Sequence, residues 1–232
     1  MVFTGLTLEF TVVGFIFYSF PVIWPYLISE LGMTESQLGM ASAFYFIPVG
    51  ILAIVVGRAL DKYSVKNFMM IGAIIYAIGL FSLSLINSYW SLLTIYLTIL
   101  ALGSIMMGNL AVAKLISNWF DKNAGRALGI AAIGISFSGV VLPLVVDPLL
   151  DLVGWRNVYV IFASVVLFIM LPLIFFTVID DPRSVNQVKD GMKKDNEEES
   201  LPQEITAKDL LSKKVFWMIS LAFAFQFLSM MG

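Results

Sequence analysis

The chain contains no cysteine and no histidine, and charged residues are scarce. The missing residue types exclude disulfides, haem, thiolate or imidazole zinc sites and histidine acid–base chemistry. Charged residues make up 13% of the 232 positions, whereas soluble domains contain about 25%. Hydrophobic residues make up 59%, and the mean hydropathy is +0.92. This composition excludes a disordered chain, a nucleic-acid-binding protein and most cytosolic enzymes, and it predicts an integral membrane protein.

The few charges divide the chain into intervals of the length that a membrane helix needs. A helix needs about 20 residues to cross roughly 30 Å of hydrocarbon, and a charge at its centre is costly. Four uncharged intervals of 20 to 23 residues lie between Glu9 and Glu30, Glu35 and Arg58, Arg126 and Asp147, and Arg156 and Asp180. A fifth interval of 47 residues contains the polar break at residues 87–90 and therefore predicts two helices. The sequence thus predicts six membrane helices, at about residues 10–29, 36–57, 67–86, 90–113, 127–146 and 157–179.

Two different segments follow the predicted bundle of residues 1–180. Residues 181–214 are rich in charge, which predicts a solvated cytoplasmic linker, and residues 215–232 are again apolar. We therefore expect an all-α membrane protein with a six-helix N-terminal bundle and the start of a seventh transmembrane helix. This is the layout of a carrier with two halves, of which the C-terminal half is missing here. The alternative is that two copies associate in parallel to rebuild a two-halved carrier.

The distribution of basic residues predicts the orientation of the bundle. Cytoplasmic loops collect lysine and arginine, and 13 of the 14 basic residues lie in the loops on one side of the six predicted helices. Arg156 alone lies on the other side. We therefore expect a multi-pass protein of the cell membrane with its N-terminus in the cytoplasm.

The loop after the second predicted helix carries a recognisable signature. Residues 57–66 include Gly57, Asp61, Lys62 and Lys66, and they resemble the G-x-x-x-D-[RK]-x-G-[RK]-[RK] loop of the major facilitator superfamily. The chain departs from that pattern at two positions, since it has Ser64 for the second glycine and a valine for a cation. The aspartate has two possible roles, because it can cap a helix N-terminus or pair with a cation across the loop.

Further segments resemble the monocarboxylate and oxalate/formate carriers of that superfamily. Residues 118–130, with Asp121, Gly125 and Arg126, resemble the start of the fifth helix in those carriers, although the order of Gly125 and Arg126 is inverted. Residues 154–156 resemble their outer G-W-R sequence, and residues 180–183 resemble the end of their sixth helix. The first helix has no lysine at residues 10–29, so the sequence does not support proton coupling through that residue as in animal monocarboxylate carriers. A drug/proton antiporter is also disfavoured, because its motifs in the fourth and fifth helices are absent.

The resemblance implies that helices one, two, four and five line a central cavity, while helices three and six face lipid. The candidate cavity residues are polar or aromatic side chains near mid-depth on the four lining helices. They are Tyr18, Trp24, Ser42, Tyr45, Ser104, Asn109, Ser136 and Ser138. None is charged, so the counter-ion for a charged solute is expected from the missing half.

Small residues recur along the fifth predicted helix at the spacing of one helical face. The steps between them are 4, 3, 4, 3 and 4 residues, and the set comprises Gly125, Gly129, Ala132, Ser136, Gly139 and Pro143. Gly134 lies in the same helix and is also a candidate for close packing. Such a face lets membrane helices approach closely and slide during a conformational change.

These features favour a secondary active transporter of a small organic solute that works by alternating access, with a monocarboxylate or another organic anion as the solute. Its expected partners are the lipid bilayer, the solute and its own C-terminal half. We expect no enzymatic activity, no cofactor, no metal and no nucleic acid. The alternatives are a scaffold or assembly subunit that does not transport, and a facilitator of drugs or other solutes from the same superfamily.

Overall fold

Long apolar helices dominate the computed structural model, which describes residues 1–185, 187–190, 212–218 and 221. Four of them have a length suited to one membrane crossing: α1 (Val2–Leu31), α2 (Glu35–Lys62), α3 (Val65–Leu83) and α4 (Tyr89–Trp119). A fifth apolar stretch, Ala124–Thr177, is 54 residues long. At 1.5 Å per residue it is about 80 Å long, far more than one crossing requires.

Gly154 divides this stretch into two antiparallel helices, α5 (residues 124–153) and α6 (residues 155–177). Its backbone angles, φ 76° and ψ 158°, are not helical. Next to it, the Trp155 indole donates a hydrogen bond to Glu30 at the end of α1. At the far end of α6, the Asp180 carboxylate accepts a hydrogen bond from the Lys66 backbone at the start of α3. The described part of the chain therefore contains six transmembrane helices.

The backbone at Gly154 lies in a region that residues with a side chain rarely occupy. We expect Gly154→Ala to lower the free energy of unfolding by about 1–3 kcal/mol through this strain, since no neighbouring atom lies where the Cβ would be placed. Gly50→Ala is the matched control, because Gly50 is helical and equally open. Thermal unfolding of the two variants in detergent measures the difference, and equal melting temperatures would contradict the strain.

All six observed helices begin earlier than predicted, and α1, α2, α4 and α5 also end later, whereas α3 and α6 end two or three residues earlier. The largest difference is in α1, which starts at Val2 instead of near residue 10 and therefore contains Glu9. Helices α2 and α4 continue past Arg58 and Lys114, because long basic side chains at helix ends reach out of the apolar layer. The predicted linker (residues 181–214) and seventh helix (residues 215–232) lie mostly outside the described residues, although residues 214–218 are helical.

Helix α1 is the most enclosed element at its N-terminal end, where it contacts α4, α5 and α6. The Thr4 and Thr177 hydroxyls are 3.0 Å apart, and the Phe15 and Phe162 rings stack with centroids 4.0 Å apart. Gly134 of α5 lies directly against the backbone of α1, since a Cβ there would overlap the Leu6 carbonyl oxygen. The core of the bundle therefore forms where α1 is wedged between its neighbours.

The face of α5 that packs against α1 carries only some of the predicted small residues. Gly125 and Gly129 are exposed, and no atom lies within 4 Å of a Cβ built on either. Gly134 and Gly139 are the predicted glycines that do lie against α1. The buried face comprises Ala127, Ala131, Gly134, Ser138 and Leu142. Both faces of α5 consist of small residues at helical spacing, so the sequence pattern does not distinguish the face toward α1 from its opposite.

Helices α3 and α6 carry large apolar side chains on their outer surfaces, as expected for helices that face lipid. Ile71, Ile74 and Phe176 are exposed, and they line an apolar groove between the two helices. Helix α2 is the least enclosed of the spans, with 17% of its most apolar window buried against 61% for α4. Helix α2 therefore either faces lipid or is covered by a further structural element.

Candidate functional site

The eight candidate cavity residues fall into three groups by exposure. Asn109 and Ser136 are exposed; Tyr18, Trp24 and Ser42 are half-buried. Tyr45, Ser104 and Ser138 are buried inside the bundle. The first two groups are open to a solute from the surface of the bundle, whereas the buried side chains form contacts between helices.

The buried candidates connect specific pairs of helices. The Tyr45 hydroxyl and the Ser104 hydroxyl form a hydrogen bond between α2 and α4, and Ser104 also donates to the Ala101 carbonyl. Ser138 donates to the Ile135 carbonyl within α5. Tyr45 also meets the edges of two other rings, Phe17 and Tyr96. These contacts hold α1, α2 and α4 together in the half of the bundle away from the N-terminus.

Tyr18 lies in a π-helical turn, Gly14–Tyr18, that interrupts α1. The Ser19 hydroxyl and amide both donate to the Gly14 carbonyl, and the Tyr76 hydroxyl of α3 donates to the Val12 carbonyl. The aromatic ring of Tyr18 occupies the space beside Gly139 of α5. Such π-turns are frequent at functional sites because they redirect side chains out of the regular helical positions.

Glu9 is the one site residue that the sequence analysis missed. It is 2% exposed, and its Oε2 atom has no hydrogen-bond partner in the part of the chain that the structure describes. The Asn109 carboxamide of α4 lies against this carboxyl group. The sequence contained a signal, since residues 1–8 carry no charged side chain and extend the apolar stretch upstream of Glu9.

Helix α4 is broken next to this pair. Gly108 has φ −95° and ψ −136°, so α4 consists of two helical parts that meet there, and Asn109 is the first residue of the second part. Val12 of α1 packs against Gly108 at the break. The break therefore lies at the interface of α1 and α4, beside the buried carboxyl group.

The end of the bundle that carries the basic loops is joined by ionic contacts. Lys114 Nζ of α4 lies 2.6 Å from Asp61 Oδ1 of α2. Of the two roles considered for Asp61, the structure shows pairing with a cation and not helix capping. Asp180, after α6, instead accepts a hydrogen bond from the Lys66 backbone amide. The Lys66 ammonium lies 4.8 Å from the centre of the Phe175 ring.

The loop before α5 is joined to the segment after α6 in the same region. The Trp119 indole donates to the Ile179 carbonyl, and Asn118 donates to the Asp180 carbonyl. Asp121 and Lys189 form a long ion pair of 3.9 Å. Lys62 and Arg126 are exposed, whereas Gly57 and Pro143 are half-buried. The motif residues thus form a network that ties α2, α3, α4 and α6 together at this end.

The Asp61–Lys114 pair is expected to contribute little to stability, because both side chains are partly solvated, with exposures of 67% and 32%. We expect Asp61→Asn to lower the free energy of unfolding by about 0–1 kcal/mol. Lys114→Gln is expected to have an equal effect, and the double variant should cost no more than either. Denaturation of the three variants measures this, and losses that add would show that the two side chains do not interact.

Among the described residues, no group of three or more aspartate or glutamate side chains is placed to hold a metal ion. The chemical groups of the site are therefore hydroxyls, aromatic rings, one carboxamide and one buried carboxyl.

Comparison with known proteins assigns this arrangement to a family. Residues 6–232 match the family described as the Major Facilitator Superfamily. The chain belongs to the major facilitator superfamily. This is a superfamily of multi-pass membrane transporters.

Two relatives and one solved structure show how far the similarity to other superfamily members extends. The chain is 32% identical over 146 residues to "MFS-type transporter 1" of Ophiocordyceps sp., covering 63% of the chain and 32% of the relative. It is 26% identical over 211 residues to the "Probable hexose phosphate transport protein" of Chlamydia trachomatis, covering 87% of the chain and 44% of the relative. The chain is also similar to a crystal structure of a bacterial homologue of the human lysosomal transporter Spinster, in an inward-facing and unoccupied conformation. The match covers 95% of this chain and 50% of that one, with a TM-score of 0.68 and 19% identity. The structural match supports the superfamily fold, and the chain spans half or less of each of these proteins.

Proposed function

We propose that this chain is the N-terminal half of a secondary transporter that moves a small organic solute by alternating access. The lengths of its superfamily relatives support this, since each continues well beyond the matched region. In this proposal residues 1–180 form the first bundle, residues 181–214 connect the halves and residues 215–232 start the seventh helix. The cavity lies between the two bundles and is lined on this side by α1, α2, α4 and α5.

The exposure of Asn109 is the observation that carries the proposal. This carboxamide is exposed on α4, about 15 Å along the helix from its Trp119 end. A polar amide that faces hydrocarbon with part of its hydrogen-bonding capacity unused is costly. A second bundle over this face would enclose Asn109 in a polar cavity, and it would also cover the exposed small residues of α5, such as Gly125 and Gly129.

An organic anion is the proposed class of solute. The resemblance of residues 118–130 and 154–156 to monocarboxylate and oxalate/formate carriers supports it. The Chlamydia relative is named for hexose phosphate, which is also an organic anion. In this proposal the cation that binds the anion comes from the C-terminal half, and the described half supplies hydrogen bonds from Asn109, Ser42 and Ser136.

The proposed orientation places the N-terminus and the basic loops in the cytoplasm, in the cell membrane. The concentration of basic residues at one end supports it. In the structure that end is where Asp61 meets Lys114 and where Lys66 meets Asp180. The Gly154 turn, with Arg156, then faces outward.

Counterflow in vesicles tests the proposed function. The whole protein is expressed from its gene, reconstituted into vesicles preloaded with unlabelled lactate, oxalate or hexose phosphate, and supplied with the same labelled compound outside. We expect transient accumulation of the label for at least one of these anions, and Asn109→Ala is expected to reduce it. Accumulation of none of the three, by a protein that is folded and correctly inserted, would overturn the assignment to organic anions.

A further inference from the structure

We propose that Glu9 is the proton-binding group that couples transport to a proton gradient, with Asn109 as its connection to the solute cavity. The inference deepens the proposed function, because it names the coupling ion of the same cavity. It depends on three observations, which are the burial of the carboxyl group, the break in α4 and the positions of the neighbouring charges.

Because Glu9 is buried, its charge state has a large effect on the stability of the surrounding bundle. The side chain is 2% exposed and lies seven residues, or roughly 10 Å, along α1 from Val2. Its Oε2 atom receives no hydrogen bond from the described residues. A carboxylate in an apolar, partly unsatisfied position is unstable unless a cation or a proton neutralises it. The structure therefore provides a place where a proton binds with a large effect on the rest of the bundle.

Asn109 gives this buried group a route to the surface. Its carboxamide touches the Glu9 carboxyl on one side and is itself exposed on the other. It is the first residue after the break at Gly108, where α4 is not helical and where the backbone amides of the next helical turn lack partners within the helix. The carboxamide stabilises the deprotonated form when the proton leaves toward the cavity.

Among the described residues, no cationic side chain of the helices packed on α1 is placed to neutralise the Glu9 carboxylate in place of a proton. On α4, Lys114 lies five residues beyond Asn109 and is bound to Asp61. On α5, Arg126 is exposed in the first turn, and Asp147 and Asp151 lie toward the Gly154 end. On α6 and α3, the ionisable groups are Arg156 and Tyr159 near the Gly154 end, Lys66 beside Phe175, and Tyr76, whose hydroxyl donates to Val12.

A proton fits this site better than a sodium ion. A metal cation bound through hard oxygens requires about six ligands, and no group of three or more acidic side chains exists among residues that the structure describes. One carboxyl and one carboxamide are sufficient for a proton. Electrostatics then suggests the order of events, because an organic anion enters the cavity more readily when Glu9 is neutral and both leave together when the bundle reopens.

The binding of a proton is tested first, without any solute. The whole purified protein is titrated with acid in lipid nanodiscs, and infrared difference spectra record the carbonyl stretch of a protonated carboxyl group. We expect a band in the wild type that Glu9→Gln removes, that Glu9→Asp restores at a shifted frequency, and that the exposed control Glu35→Gln leaves unchanged. A band unaffected by Glu9→Gln, or a band that sodium ions remove at constant pH, would overturn the proposal.

The coupling is tested second, in vesicles with labelled lactate or hexose phosphate. One coupled proton and a pH gradient of one unit support up to about tenfold accumulation of the solute. We expect Glu9→Gln to lose this accumulation and to retain counterflow at equal pH, because the exchange of bound solute needs no proton transfer. Accumulation by Glu9→Gln equal to that of the wild type would overturn the proposed coupling. Absence of counterflow in the wild type would overturn the proposed function but would not affect the infrared test of proton binding.

Discussion

Replacing Gly134 with alanine is expected to destabilise the folded bundle strongly. A Cβ at this position would overlap the Leu6 carbonyl oxygen and lie 3.1 Å from the Phe10 amide nitrogen. Both obstacles are backbone atoms of α1, which cannot rotate away as a flexible side chain does. We expect the loss of stability to reach the upper end of the 1–3 kcal/mol range, at about 3 kcal/mol. The fraction of monodisperse protein after detergent extraction and its melting temperature measure the effect.

Gly129→Ala is the matched control for this prediction. Gly129 lies on the same helix, five residues earlier, and no atom lies within 4 Å of its Cβ position. The same chemical change is therefore expected to leave folding unchanged or to stabilise α5 slightly, since alanine favours a helix over glycine. If Gly129→Ala were the more harmful of the two, the face of α5 predicted from the sequence would be the packed one after all.

Replacing Arg156 with methionine is expected to lower the free energy of unfolding by about 3 kcal/mol or more, through the end of the bundle that contains Gly154. Its Nη1 atom donates to the Ser84 and Ile86 carbonyls at 2.9 and 2.8 Å, and its Nη2 atom donates to Asn87 at 3.3 Å. Hydrogen bonds that involve a charged group contribute about 1.5–3 kcal/mol each. The carbonyls beyond α3 lose their donor in this variant, and methionine keeps the apolar part of the side chain.

Two further variants separate charge from geometry at this position. Arg156→Lys keeps the charge but not the planar donor fork, so we expect about half of the loss. Arg58→Met removes an exposed arginine from α2 and is expected to have little effect on the melting temperature. A small loss in Arg156→Met, similar to that of Arg58→Met, would show that the loop at residues 84–87 does not depend on Arg156.

The sequence predicted the all-α membrane fold and its long apolar helices, because charges are so rare in this chain that the intervals between them match the membrane thickness. It predicted the start of α1 wrongly because every charge was taken as the end of a helix, and Glu9 is a charge inside one. The Glu9 carboxyl group lies against Asn109, which is 100 residues away along the chain. A contact of this kind is fixed by tertiary packing and has no local signature.

The candidate site was predicted at the level of residue type and less well at the level of placement. The sequence indicated polar residues at mid-depth, such as Ser104 and Asn109, but it did not distinguish the buried serine from the exposed carboxamide. The phase of α5 was missed because alanine, glycine and serine recur on both of its faces. The role of Asp61 also required the structure, since this aspartate was able to cap a helix N-terminus or to pair with a cation.

Alternating access is tested most directly by labelling one cysteine at Ser136. The chain has no cysteine, so Ser136→Cys provides a single reactive position on the exposed face of α5 once the cysteines in the rest of the whole protein have been replaced. The whole protein is placed in sealed vesicles and treated with a membrane-impermeant thiol reagent from either side. Leu85→Cys and Lys62→Cys, exposed at opposite ends of the bundle, report the outer and the inner side alone. We predict that Cys labelling at position 136 proceeds from both sides and that a transported anion changes the ratio of the two rates. Labelling from one side only, unchanged by any anion, would contradict the transporter account and favour a static membrane scaffold.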